Sequence, residues 1–381
     1  MNKKLLTVLI VLCVSSAVVA CRFGKDAKFL FTKRVSLCSS IKALPLAEKK
    51  GIVKRVTTVN IPGILAPYNP GLVAHEDGFF LVFRHDIKER RKILGMPTPW
   101  KKKIHFGELK MPLRTLISAA HLDSNFQVVS SPVRIDTGSD FSEDPRVFCM
   151  QDQVYIMYND IEDNNIESRT IHLAKLDTKT YKISEHVNLA QNFQRIEKNW
   201  VPFVYEENGV PQIHFGYYFN PHVILQMKDP TKNELTHLLQ PNYAAIQRMP
   251  WKDSWGSISG GTPCILVDGQ YLGFFHSFFK EEGKIWYVMG AYTFESTPPF
   301  RVTACSAQPI RFKEMYQTKI KGSGSSRKPV TFPSGIVLSQ EKRRDVLHVS
   351  CGDNDCGIQI VTFDKEALLK SLKPVPLYKG K

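Results

Sequence analysis

Cysteine is scarce, at eight in 381 residues, and neither a CxxC nor an HxxxH spacing occurs. That argues against a zinc site, and no metal and no organic cofactor are expected. Long amphipathic helical patterns are also scarce; only stretches near Ala27–Ile41 and Lys365–Leu372 suggest short helices. Acidic residues are in deficit, with 36 Asp and Glu against 51 Lys and Arg, a net +15. Hydrophobic residues at 43% and charged residues at 23% are near the globular average, which excludes disordered, collagenous and multi-span membrane chains. What is present in quantity is aromatic: 23 Phe and 13 Tyr lean toward strands.

The amino terminus reads as an export signal. Lys3 and Lys4 precede 16 residues without a charge, Leu5 to Ala20. A spanning helix needs about 20, whereas this length suits a signal-peptide core ending on a small residue. Val18-Val19-Ala20-Cys21 resembles a bacterial lipobox, which makes Cys21 the candidate lipidation site. An ordinary cleaved signal and an uncleaved membrane anchor are the alternatives. Exported thiols can pair; the close pair, Cys351 and Cys356, reads as two inward-facing strand residues instead.

A repeated phrase organises the rest: a proline, a short apolar strand, a turn, and a second strand rich in aromatics. It occurs at Pro70, Pro145, Pro202, Pro263 and Pro333, spaced 75, 57, 61 and 70 residues apart. The first four turns are Glu76-Asp77-Gly78, Gln151-Asp152, Asn208-Gly209 and Asp268-Gly269; the fifth reads as a longer turn through Arg343-Arg344-Asp345. Asp-Gly and Asn-Gly between such runs are strong hairpin signals. An all-strand unit of that length reads as a propeller blade. The expected fold is all-β: a single-domain five-bladed β-propeller over residues 61–381, after a signal segment or anchor at 1–20 and a linker with first strands at 21–60.

Proline is tolerated at strand starts and edges but not in ladder interiors, so each proline should open an innermost strand. Polar residues beside the prolines, and at the ends of the following strands, should then rim one central funnel. These are Asn69, Arg84, Glu143, Asp144, Asn159, Asp160, Lys198, Asn199, Asn220, His222, His276, Asp353 and Asp355. A convergent polar set in a concave, aromatic-lined site is the default binding-site hypothesis. Trp200, Trp255 and Tyr217 are candidates for stacking on a ligand, although aromatic core positions are commoner.

Several phrases resemble the glycoside hydrolase family of inverting β-mannoside phosphorylases, which are five-bladed propellers. They are Asn69-Pro70 with Leu81-Val82-Phe83-Arg84, Glu143-Asp144-Pro145-Arg146, Lys198-Asn199-Trp200-Val201-Pro202-Phe203, Gly260-Gly261-Thr262-Pro263 with Phe274-Phe275-His276, Tyr287-Val288-Met289-Gly290-Ala291-Tyr292 with Pro298-Pro299-Phe300-Arg301, and Cys351-Gly352-Asp353-Asn354-Asp355. The order is kept from about Pro62 to Asp364. The resemblance implies that Asp144 is the catalytic acid, that Arg84, Lys198 and His276 bind phosphate, and that Asp355 holds sugar; Asn69, Glu143 and Arg146, within the same phrases, are the further sugar-binding candidates. Such chemistry needs an acid for the leaving oxygen and a nucleophile on the opposite face. With phosphate as nucleophile, cationic donors replace a second carboxylate. Tyr158-Asn159-Asp160 and the Gly-Asp-Asn-Asp-Cys ending depart from the family pattern, which leaves hydrolysis and glycosyl transfer open beside phosphorolysis.

Ten Lys and Arg against three acids fall between Arg84 and Arg114, with Pro97, Pro99 and Trp100 among them. This reads as a loop insertion, and Lys88–Lys103 would suit an anionic membrane surface. No nucleic-acid module is present, and no such partner is expected. Two function classes follow: an exported, membrane-anchored carbohydrate-active enzyme acting on β-mannosides or related glycans, with inorganic phosphate as possible co-substrate, or a non-catalytic envelope propeller that binds glycan or protein.

Overall fold

Each proline-marked hairpin supplies the inner strands of a separate antiparallel sheet. The computed structural model describes residues 36–86, 92–93, 96–97, 114–162, 165–189, 194–219, 221–229, 234–237, 249–318 and 328–376. The export segment, Cys21, Asn220 and most of Lys88–Lys103 lie outside the described residues.

Blade 1 runs Pro67–His75, Gly78–Asp86, Thr115–Leu122, Val133–Arg134, and blade 2 runs Glu143–Met150, Gln153–Glu162, Asn165–Leu176, Ile183–Asn188. Blade 3 runs Val201–Glu207, Val210–Phe219, His222–Asp229, Glu234–His237. In blade 4 the innermost position is split between Ser259–Gly260 and Ile265–Val267, followed by Gln270–Glu281, Lys284–Glu295, Val302–Cys305 and Lys373–Pro374. Blade 5 runs Thr331–Glu341, Arg344–Asp353, Gly357–Asp364 and, outermost, Val53–Val59. The chain is a five-bladed β-propeller. Its last blade is closed by a strand from the 21–60 segment, paired from Val53 opposite Phe363 to Val59 opposite Ile358.

The second strands are nearly continuous apolar runs because both of their faces are covered, where a half-solvated strand would alternate. In Phe79-Phe80-Leu81-Val82-Phe83, residues 79, 81 and 83 pack with Ile358 and Ile360 of blade 5. Residues 80 and 82 pack with Val147 and Ile156 of blade 2. Alternate side chains of one strand thereby weld it to the blades on either side.

The fifth turn is tighter than its sequence suggests. Strands extend to Glu341 and from Arg344, leaving Lys342 and Arg343 as a two-residue turn with φ of 49° and 65°. Polar residues at the strand ends disguised the true boundary. The six described cysteines are free. Cys351 is a buried strand residue as expected, but Cys356 sits in the turn after Asp353, its thiol against the Thr318 carbonyl at 3.5 Å. Short helices form at Ser39–Ala43 and Lys365–Ser371, the latter capped by the Asp364 carboxylate, which accepts from the Ala367 amide at 3.0 Å. Among the described residues, no helix is long and apolar enough to cross a membrane.

Blades 3 and 4 meet too closely at the centre for a side chain at position 260. A Cβ on Gly260 would lie 1.9 Å from the Asn199 carbonyl oxygen and 2.6 Å from a Val201 methyl. Because the nearest obstacle is backbone, Gly260→Ala is expected to cost about 1–3 kcal/mol, read as a lower midpoint of denaturant unfolding.

Candidate active site

The central polar residues are aimed by the backbone itself. In blade 1 strand pairing slips between Tyr68 and Gly71, and in blade 2 between Glu143 and Arg146. Each slip is a bulge, which re-aims a side chain. At the bulges, Asn69 and Asp144 take left-handed φ values of 48° and 53°, each directly before a proline. Residues before proline normally stay extended. Asn and Asp tolerate the left-handed region better than other side chains, and the surroundings hold them there. The two side chains then meet: Asn69 Nδ2 donates to Asp144 Oδ1 at 2.8 Å.

Around this pair gathers a buried ionic cluster. Arg84 donates through Nη1 to Asp144 Oδ1 at 3.0 Å and through Nη2 to Glu143 Oε1 at 2.9 Å. Lys198 Nζ reaches Glu143 Oε2 at 3.1 Å from the start of blade 3. Arg169 Nη2 reaches Glu143 Oε1 at 2.7 Å, and its Nη1 donates to Asn159 Oδ1 at 3.0 Å. Arg84 lies over the Tyr68 ring at 4.9 Å, while Tyr68 Oη donates to Asp86 at 2.7 Å. Burial pushes the Asp144 pKa up, but the Arg84 charge, the Asn69 hydrogen bond, then Lys198 and Arg146 outweigh it. The carboxyl is held well below the usual carboxylate range.

Arg146 was expected to hold sugar, and its position is that of a strut. It is 2% exposed. Its Nε donates to the Gly261 carbonyl at 2.6 Å, Nη2 to the Gly260 carbonyl at 3.1 Å and Nη1 to the Asp144 carbonyl at 3.2 Å. The guanidinium thus ties blade 2 to blade 4 beneath the site. Burial lowers its pKa to about 10, partly offset by Asp144.

His276 lies in the same neighbourhood, its ring 4.4 Å from Phe332 and 6.1 Å from Tyr287. Burial, then the Arg146 charge, lowers its pKa to about 3, so at neutral pH it offers a neutral imidazole. Tyr287 is raised by burial, then by Asp355 and Asp144, which places both carboxylates within electrostatic reach of one phenol. Asp355 occupies the turn after Asp353 with φ 50°. Asp353 itself is buried, accepts from the Thr318 amide at 2.6 Å, and has its pKa raised by burial to about 6.

The expected rim is therefore only partly gathered. Asn69, Arg84, Glu143, Asp144, Asn159 and Lys198 form one bonded cluster, with His276 within its electrostatic reach. His222 does not belong: it is 5% exposed among Phe219, Tyr292 and Phe294, with its Nδ1 at 2.8 Å from the Phe300 carbonyl. Asp160 is occupied by the Ser139 and Ser142 hydroxyls. Trp200 and Trp255 are core residues. Arg169 was missed. It lies on a third strand, outside the rule that confined candidates to inner strands, and only its length brings it back to Glu143. Among the described residues, no group of three or more His, Cys, Asp or Glu could hold a metal.

One feature extends beyond this cluster. Lys198, Asn199 and Gly260 also form the inner end of a cleft of about 1080 Å³ between blades 3 and 4.

Fold and site together define a five-bladed propeller with a buried carboxylate pair among cations at its centre. No family model and no curated protein sequence matches the chain. Solved structures do. A β-1,2-mannobiose phosphorylase from Listeria innocua, in complex with β-1,2-mannobiose, superposes with a TM-score of 0.55 at 15% identity, over 85% of this chain and 97% of that one. A glycosyl hydrolase from Bacteroides ovatus gives 0.54 at 14% identity, over 82% and 87%. A mannose phosphorylase from Leishmania mexicana, in complex with phosphate ion, gives 0.52 at 11% identity, over 87% and 94%. At these identities the likeness is one of fold.

Proposed function

We propose that this protein is a carbohydrate-active enzyme that cleaves β-mannosides with inversion, using inorganic phosphate as nucleophile and Asp144 as the proton source. One observation carries the reading: Arg84 and Arg169, from strands of two blades, and Lys198, from the segment leading into a third, converge on Glu143 and Asp144. With Arg146 close by on main-chain carbonyls, four cations stand against Glu143, Asp144 and, behind Tyr68, Asp86, and the remaining positive charge suits phosphate. The two mannoside phosphorylases with this fold support the same reading.

In the proposed reaction a phosphate oxygen attacks the anomeric carbon from the face opposite the glycosidic bond. That bond breaks, its oxygen takes a proton, and a β-linkage yields the α-phosphate. Hydrolysis is the second reading, but it needs a general base. Inverting hydrolases hold their carboxylates about 6.5–9.5 Å apart with water between, whereas Glu143 adjoins Asp144 and is engaged by three cations. Asp144 is ionised in the resting site, so it has to be loaded before it can act: a phosphate dianion arriving beside Arg84 and Lys198 offsets the charges that hold it ionised and lets it take up a proton. The protonated carboxyl then supplies the leaving oxygen directly, or through a substrate hydroxyl that receives the Asp144 proton as it passes on its own.

The test is a panel of β-mannosides incubated with and without phosphate, with the product anomer determined. Release of α-mannosyl phosphate is the expected outcome. Lys198→Ala should raise the KM for phosphate roughly tenfold or more, as loss of a charged hydrogen bond implies, with a smaller effect on the KM for sugar. Phosphate-independent release of free mannose would favour hydrolysis. Binding of glycan without turnover would make this a non-catalytic glycan-binding propeller.

A further inference from the structure

The cleft between blades 3 and 4 shares Lys198 with the site just described, while the rest of its lining has no part in that reaction. Its inner end is Lys198, Asn199 and Gly260, and Lys198 Nζ is 3.1 Å from Glu143. Its wall carries Tyr217 and Tyr218, and its outer end reaches Pro374 and Pro376. Sites of roughly 300–1,000 Å³ accommodate drug-sized ligands. A cleft of about 1080 Å³ is far larger than one sugar unit requires.

The wall is built in a way that fits sugar rings. Tyr218 is 44% exposed, and the only other aromatic among the large, exposed hydrophobic residues described is Phe278, also at 44%. Phe278 follows His276 by two positions on the same strand and stacks on Tyr287 at 5.4 Å. Tyr287 in turn lies 6.1 Å from the His276 ring. Phe278 thus shares a strand with a site residue, and Tyr218 shares the cleft with Lys198. Tyr218 is held in place: its ring centroid is 4.3 Å from that of Tyr217, whose hydroxyl donates to Glu197 at 3.1 Å, and its own hydroxyl accepts from Gln194. A fixed, half-exposed phenol presents large contact area at low entropic cost, with a polar edge for hydroxyl groups.

Resting on the proposed function, we infer that this cleft is an extended oligosaccharide subsite, and that the preferred substrate is a β-mannan chain of three or more sugars. The sugars beyond the cleaved unit leave the funnel past Lys198 and lie along Tyr218. Lys252 and Asp253 on the cleft wall carry opposite charges, and Lys198 at the inner end is paired with Glu143, which fits a neutral chain.

Calorimetric binding and turnover are measured for β-mannooligosaccharides of two to six units, with wild type and Tyr218→Ala. Affinity should rise from the disaccharide to the longer chains in the wild type. Tyr218→Ala should weaken the longer chains by about 3- to 10-fold, the worth of one aromatic contact, and leave the disaccharide unchanged. Tyr218→Phe should restore most of the loss. Turnover without chain-length preference, or equal loss on every length in Tyr218→Ala, overturns the subsite while the catalytic reading stands. Length- and Tyr218-dependent binding without any turnover does the reverse.

Discussion

Asp144→Asn is expected to lower turnover of a β-mannoside by about 10²–10⁴-fold, the usual contribution of general acid–base catalysis, while the protein stays folded. The substitution keeps what the backbone needs. Asparagine accepts the left-handed φ of 53° as aspartate does. Its carbonyl oxygen can still accept from Asn69 Nδ2 and Arg84 Nη1. Arg84 keeps a carboxylate partner in Glu143. What is lost is a group that can take up and return a proton. The measurement is kcat on an identified substrate beside a thermal unfolding curve. Near wild-type kcat with an unchanged midpoint would remove Asp144 from the mechanism. A collapse of the midpoint would show instead that the charge is structural.

Arg146→Met is expected to be the most damaging change to stability, at about 3–5 kcal/mol. Methionine nearly fills the space and so isolates the polar loss from the packing loss. The carbonyls of Asp144, Gly260 and Gly261 all lose a buried donor, and each unsatisfied group costs about 1–3 kcal/mol. The carboxylate of Asp144 also loses one of its compensating charges. Chemical denaturation gives the number directly. A loss below about 1 kcal/mol would mean that water takes over the three carbonyls and that the strut is dispensable.

The architecture was legible because its signals are local. Proline at an inner edge, Asp-Gly or Asn-Gly as the two residues between strands, and a five-residue apolar run each report on a stretch of under ten residues. Their recurrence did the rest. The fifth turn escaped because Lys342 and Arg343 adopt left-handed backbone without glycine to announce it. Within the site, Asn69, Asp144 and Lys198 could be found from their place beside the first inner strands. Arg146 could not be told from a ligand contact, since a strut and a sugar-binding arginine look alike until the partner carbonyls are seen. Arg169 and Tyr218 carried no local mark. Their roles come from register and from the approach of blades distant in sequence.

The strand Val53–Val59 has a consequence for synthesis. Its partner, Gly357–Asp364, is made roughly 300 residues later. At about 5–20 residues per second, the strand waits about 15–60 s with open edges while four blades are made. A waiting strand is a template for joining another chain. Here Lys54 and Arg55 are exposed, with the buried valines kept to the two ends, and charges so placed discourage pairing with a stranger. Arg55 later exchanges that solitude for Glu341, at 2.7 Å on its own blade. The same side chain guards the nascent chain and then helps to latch the finished ring.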